Sequence, residues 1–269
     1  MTRARSVSAR GGVPLHVEER GAGARTMLLC NGLYCSTHYY GPWIEQFSRD
    51  HRVVSFDYRG HGKSADARDP GAVTLASLVD DARAVLDTIE GPTILVGHSM
   101  GVRVALELAA RAEARLDGVI LLCGSVFGIG DGLSASAVAR VGPPLLRTAD
   151  RVSYAFELAR NAVMHPDWFI TVGSLFGGLA RSTPRAPIEA LVRNVRRLDV
   201  RLMTSVARSY VEHTARPLLP RVQAPTLQIV GGLDQLATPA HARLVERELP
   251  RCTTHVVEGC THLAPIERP

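Results

Sequence analysis

Lysine is almost absent from this chain: Lys63 is the only one among 31 basic residues, and the other 30 are arginine. Aromatic residues are scarce too, at 5%. The lysine scarcity looks like coding bias, whereas scattered arginines and few aromatics argue against a nucleic-acid surface, which interleaves basic side chains with aromatics on one face. The densest basic group, Arg193, Arg196, Arg197 and Arg201, falls at helical spacing and reads as a solvated helix face. The five cysteines, Cys30, Cys35, Cys123, Cys252 and Cys260, form no CxxC pair and are odd in number, so they read as reduced thiols with no metal-ligand spacing. No apolar stretch follows Met1-Thr2-Arg3-Ala4-Arg5, and no apolar run approaches the ~18 residues of a membrane span. A cytoplasmic location is the resulting expectation. Fixed-period repeats and low-complexity tracts are missing as well.

What is present is a chain of 269 residues, 46% hydrophobic and 21% charged, able to bury one large core. Short β-rich apolar runs occur at Thr26 to Cys30, Arg52 to Asp57, Pro92 to Gly97, Gly118 to Cys123, Thr226 to Gly231 and Thr253 to Glu258. Between them lie amphipathic helical patterns, including Leu75 to Ile89, Met100 to Ala112 and Pro239 to Leu249. Strands that lack polar alternation and alternate with helices predict an α/β fold: a mostly parallel sheet covered by helices on both faces. From Gly124 to Pro217 the strand signals vanish and helical stretches are separated by Gly142-Pro143-Pro144, His165-Pro166 and Thr183-Pro184. The expected organisation is a core of residues 1–123 and 218–269 with a helical cap, 124–217, inserted over one end of the sheet.

Gly97-His98-Ser99-Met100-Gly101 follows an apolar strand and opens a helix, the context of a nucleophile elbow. A serine there sits on a tight strained turn, with glycines on either side leaving room for strand and helix to pack. A serine hydroxyl is a poor nucleophile unless a base takes its proton and a third group orients that base.

With this motif the chain resembles the α/β-hydrolase superfamily, over nearly its whole length. Asp57-Tyr58-Arg59-Gly60-His61-Gly62-Lys63-Ser64 resembles the family's structural turn, so Asp57 and His61 are given no catalytic role. The family's order of Ser, then acid, then His implies Asp234, on the loop after Ile229-Val230-Gly231, as the acid. It implies His262, after Val257-Glu258-Gly259, as the base. Asp131, within Gly128 to Gly132, is the alternative acid, on the loop after the middle strand. His98 is expected to point elsewhere.

The resemblance also implies an oxyanion hole made of the backbone N–H groups of Met100 and Leu33. The loop carrying Leu33 reads Asn31-Gly32-Leu33-Tyr34 where most relatives have His-Gly, and an Asn there resembles the enol-lactonase branch. Tyr34, Trp168 and Phe169 are the candidate substrate contacts. The cap region is rich in apolar side chains: Phe127, Ile129, Leu145, Leu146, Phe156, Trp168, Phe169, Ile170, Leu175 and Phe176. The expected activity is cofactor-free and metal-free hydrolysis of a carboxylic ester, thioester or lactone through an acyl-Ser99 intermediate. The expected partner is a small-molecule substrate with an apolar portion. C–C bond hydrolysis or acyl transfer with the same residues, and a non-catalytic receptor, are the alternatives.

Overall fold

In a computed structural model that describes residues 2–111, 116–128, 164–175 and 178–269, the apolar runs become the strands of one eight-stranded sheet. Its strands are β1 (Thr2–Ala9), β2 (Val13–Arg20), β3 (Thr26–Cys30), β4 (Arg52–Phe56), β5 (Thr93–His98), β6 (Leu116–Leu122), β7 (Thr226–Gly231) and β8 (Cys252–Val257). They lie in the order β1-β2-β4-β3-β5-β6-β7-β8. From β4 to β8 every neighbouring pair is parallel. The central strands carry no polar alternation because helices cover both their faces: Leu28, Val54, Phe56 and Leu95 are all fully buried.

The two N-terminal strands were not among the expected elements. They form an antiparallel hairpin that joins β4 antiparallel. Its pattern differs in kind from that of the central strands, since Val7, Ala9, Val13, Leu15 and Val17 are buried while the residues between them are more exposed. One face of this edge therefore meets the core and the other meets water. Gly11 and Gly12, at φ 83° and 74°, make the turn.

The helices are α1 (Gly41–Phe47), α2 (Leu75–Leu86), α3 (Met100–Ala109), α4 (Pro166–Leu175), α5 (Arg185–Arg197), α6 (Val200–Glu212), α7 (Pro239–Glu248) and the single turn α8 (Ala264–Glu267). Local chemistry sets their starts. Thr74 and Ser77 form a reciprocal capping box on α2, the Asp199 carboxylate caps α6, and Thr238 precedes Pro239 at the head of α7. Among the described residues between β6 and β7 there are helices and no strand. On α5 the apolar face of Ile188, Leu191, Val192 and Val195 is buried, while Arg193, Arg196 and Arg197 stand exposed. Arg201 is also exposed and pairs with Asp69 at 2.9 Å, so the arginine group is a solvated face. No helix among the described residues is long and apolar enough to cross a membrane.

The Asp57 to Ser64 turn has the structural part expected of it. The buried Asp57 carboxylate accepts the Thr37 N–H at 2.8 Å and the Lys63 N–H at 2.9 Å, which ties the turn to the loop after β3. Arg59 clamps the Asp81 carboxylate of α2 with two nitrogens. Burial lowers the pKa of His61, whose Nδ1 donates to the Arg59 carbonyl.

Candidate active site

Parallel strands deliver all their carboxyl ends to one edge of the sheet, the edge at which open α/β folds assemble their sites. The loops after β3, β5, β7 and β8 meet there.

Between the end of β5 at His98 and the start of α3 at Met100, Ser99 alone makes the turn. It does so at φ 54° and ψ −117°, a costly conformation for a residue with a side chain. The turn is feasible because strand and helix touch backbone to backbone. A Cβ on Gly97 would collide with the Gly101 carbonyl, and one on Gly101 would collide with the Cys30 carbonyl of β3. The Ser99 hydroxyl makes no capping bond to α3, which leaves it available to a partner across the site.

That partner is His262. Its Nε2 lies 2.8 Å from Ser99 Oγ, and its Nδ1 lies 2.9 Å from Asp234 Oδ2. Asp234 is 1% exposed, and its other oxygen accepts the N–H groups of Leu236 at 2.8 Å and Ala237 at 2.9 Å. Those two bonds hold the carboxylate to one orientation. An ionised carboxylate only accepts, so the His262 proton sits on Nδ1 and Nε2 is left to accept the Ser99 hydroxyl proton. The loops carrying the acid and the histidine are laced together, with Gly232 N donating to Val257 O at 3.0 Å and Leu233 N to Cys260 O at 2.8 Å.

The loop after β3 closes the other side. A Cβ on Gly32 would lie 3.4 Å from Ser99 Cβ, so this loop runs against the serine. Among the described residues the backbone N–H groups of Leu33 and Met100 have no acceptor. Tyr34, at φ 60°, gives its side chain to the neighbouring helices: its hydroxyl donates to the Met203 carbonyl of α6 at 2.7 Å. Its own carbonyl accepts Asn194 Nδ2 of α5 at 2.6 Å, while Asn194 Oδ1 accepts the Gly62 N–H at 3.1 Å. Tyr34 thus fastens this loop to the helices between β6 and β7. Cys35 sits nearby, but burial pushes its thiol up to about 12, which removes it as a competing nucleophile.

Trp168, on α4, is 45% exposed, and Phe169 packs partly buried against the core. Among the described residues neither shares a hydrogen bond or ring contact with Ser99 or His262. Phe127 is buried in the main core. Asp131, Ile129, Leu145, Leu146, Phe156 and Phe176 lie outside the described residues. Two residues, Tyr40 and Glu267, escaped the reading of the sequence, while His98, expected to point elsewhere, turns its ring to Tyr40 and to the His262 carbonyl. Tyr40 and His98 hydrogen-bond to each other at 2.7 Å beneath the site. Glu267 binds the Thr261 N–H beside His262 at 2.8 Å. Tyr40 and Glu267 work through a partner distant in sequence or through the backbone, so no motif announced them.

A parallel sheet with a strained serine on the turn after β5, and an aspartate and histidine on the loops after β7 and β8, defines the nucleophile-elbow class of α/β proteins. The chain belongs to the alpha/beta hydrolase family, whose model matches residues 27–269. It is 25% identical over 244 residues to 3-oxoadipate enol-lactonase 2 of Acinetobacter baylyi, covering 90% of this chain and 84% of that one. It is 35% identical over 113 residues to RutD of Variovorax paradoxus, provisionally named a carbamate hydrolase. That match covers 41% of this chain and spans only 42% of the relative's length. An esterase from Exiguobacterium antarcticum superposes with a TM-score of 0.81 at 19% identity, covering 98% of this chain and 94% of that one, and shares the fold.

Proposed function

We propose that this protein is a serine hydrolase that cleaves a carboxylic ester, thioester or lactone bearing a mainly apolar group. The observation that carries this reading is the chain of two short hydrogen bonds from Ser99 Oγ through His262 to the buried Asp234 carboxylate. The whole-length similarity to an enol-lactonase supports the ester or lactone class.

The chemistry follows from the geometry. Ser99 Oγ attacks the substrate carbonyl carbon as its proton passes to His262 Nε2. The imidazolium that results is stabilised by Asp234, which stays ionised. Negative charge collects on the former carbonyl oxygen and is met by the N–H groups of Met100 and Leu33, the first of them at the positive end of α3. When the intermediate collapses, His262 returns the proton to the departing oxygen or sulfur and an acyl-Ser99 ester remains. A water activated by the same imidazole then releases the acid. The segment 124–217 acts in this reading as a cap, with Trp168 and Phe169 on the side of the acyl group.

The test is a series of p-nitrophenyl esters of increasing acyl length, with Ser99→Ala as control and a fluorophosphonate probe located by mass spectrometry. Turnover should vanish in Ser99→Ala, and the probe should add once, on Ser99. Each added methylene is worth ~0.8 kcal/mol when buried, so kcat/KM should climb up to about fourfold per carbon until the pocket is full. Trp168→Ala should flatten that climb. Full activity in Ser99→Ala overturns the assignment.

A further inference from the structure

The Ser-His-Asp chain leaves unused a second, fully buried hydrogen-bond chain directly beneath it. Gly32 N–H reaches the Tyr40 hydroxyl at 3.3 Å, Tyr40 Oη reaches His98 Nδ1 at 2.7 Å, and His98 Nε2 reaches the backbone carbonyl of His262 at 3.2 Å. We infer that His98 is a positioning residue that locks the loop of the oxyanion hole to the loop of the base, holding the two sides of the reacting carbonyl in register. The inference rests on the hydrolase reading above.

Polarity makes the chain directional. An N–H only donates and a carbonyl only accepts, so both ends are set. Tyr40 must accept from Gly32 and pass its own proton toward His98 Nδ1. His98 must then carry its proton on Nε2 and donate it to the His262 carbonyl. Only the neutral imidazole in that tautomer satisfies all three bonds, since a proton on Nδ1 would confront the Tyr40 hydroxyl proton. Burial lowers the pKa of His98 to about 3, with the neighbouring His262 adding to the shift. Desolvation therefore holds the ring in the state the chain needs.

The surroundings leave the ring little freedom. Among the described residues the titratable groups around it include Tyr39, stacked at a centroid distance of 6.0 Å, Tyr40 at 5.6 Å edge-on, and His262 at 5.5 Å, with Asp234 beyond and the buried thiols of Cys30 and Cys35 alongside. The two ends of the chain are the residue before Leu33 and the base itself. A slip of one loop past the other would carry an oxyanion donor away from the imidazole, and misplacement by about 1 Å can cost ~100-fold in rate.

The experiment measures kcat, KM and the pH profile of kcat/KM on p-nitrophenyl acetate for Tyr40→Phe, His98→Gln, His98→Leu and the double variant Tyr40→Phe/His98→Leu, each checked for folding by circular dichroism. Tyr40→Phe should lower kcat about 10-fold with KM within about twofold. His98→Leu should lose more and shift the midpoint of the pH profile. His98→Gln, which keeps a donor for the His262 carbonyl, should recover most of that loss. The double variant should be no worse than His98→Leu, because one chain is broken only once. A folded Tyr40→Phe enzyme with unchanged kcat and profile, or losses that simply add in the double variant, overturns the inference. An active Ser99→Ala enzyme overturns the hydrolase reading instead, so the two failures are distinguishable.

Discussion

Glu267 accepts the backbone N–H of Thr261 at 2.8 Å, and Thr261 is the residue immediately before His262. The same carboxylate accepts the Thr261 hydroxyl at 2.8 Å, the Thr183 hydroxyl at 2.7 Å and the Ala180 N–H at 3.1 Å. Burial by itself would raise the Glu267 pKa, but the bonds from Thr261, Thr183 and Ala180 outweigh it and hold the carboxyl below its usual range. One side chain thus ties the histidine loop to the segment ahead of α5. Glu267→Gln turns an amide N–H₂ toward at least one of these donors. It should lower stability by about 1.5–3 kcal/mol, read as a fall in the urea midpoint, and should reduce kcat together with it. An unchanged midpoint would remove the clamp.

The identity of the acid is open to a direct comparison. Asp234→Asn keeps the shape but offers His262 Nδ1 a donor in place of an acceptor, favouring the wrong tautomer. A loss in kcat of up to ~10⁴-fold is expected. Asp131→Asn should leave kcat within about twofold of wild type if Asp234 is the acid. The reverse ranking in steady-state kinetics would transfer the role to Asp131.

Two glycines of the same chain should respond oppositely to alanine. At Gly101 the new methyl meets the Cys30 and Asn31 backbone, so α3 must retreat from β3 and carry Ser99 with it. Gly101→Ala should cost about 1–3 kcal/mol or more in chemical denaturation and depress kcat. At Gly41, in α1 with φ −46°, nothing lies within 4 Å of the added atom. Gly41→Ala should be neutral or stabilising by about 0.4–1 kcal/mol. Equal effects at the two sites would contradict the packing described for the elbow.

Stability should fall on the acid side earlier than carboxylates alone would dictate. His98 and His61 have folded-state pKa values below the ordinary 6.5, through burial in both cases. The unfolded chain therefore takes up protons that the folded chain refuses, and their contribution, full above about pH 6.5, is lost as pH falls toward about 3 for His98. Glu18, Glu19, Glu107 and Glu267, held below the ordinary 4.5, act in the same direction only under that value, while Asp81, raised by burial, acts oppositely. The urea midpoint should drop between pH 6.5 and 4.5, and His98→Gln should show a shallower drop. Identical slopes would mean that His98 is protonated without cost.

Much of this molecule could be read along the chain. The apolar runs around Leu28, Val54 and Leu95 declared buried parallel strands, and Gly97 to Gly101 declared the elbow, because period, run length and turn chemistry are properties of neighbouring residues. The N-terminal hairpin went unread for a related reason. Its strands alternate instead of running apolar, and the signals that would have exposed it are Val13, Leu15 and Val17 at spacing two beside Gly11-Gly12.

Partnership across the sheet was a different matter. Asp234 and Asp131 were both admissible acids by position in the chain; the loop after β7 lies next to the loop after β8 and sets the Asp234 carboxylate 2.9 Å from His262 Nδ1, while Asp131 lies outside the described residues. Ser99 and His262 are 163 residues apart, and Tyr40 and His98 are 58 apart. No local pattern encodes a hydrogen bond across such distances. The residue types were set by the sequence; which of them meet was decided by the strand order, since only a closed tertiary structure brings the carboxyl ends of β3, β5, β7 and β8 to one edge and excludes the water that would otherwise compete for every one of those bonds.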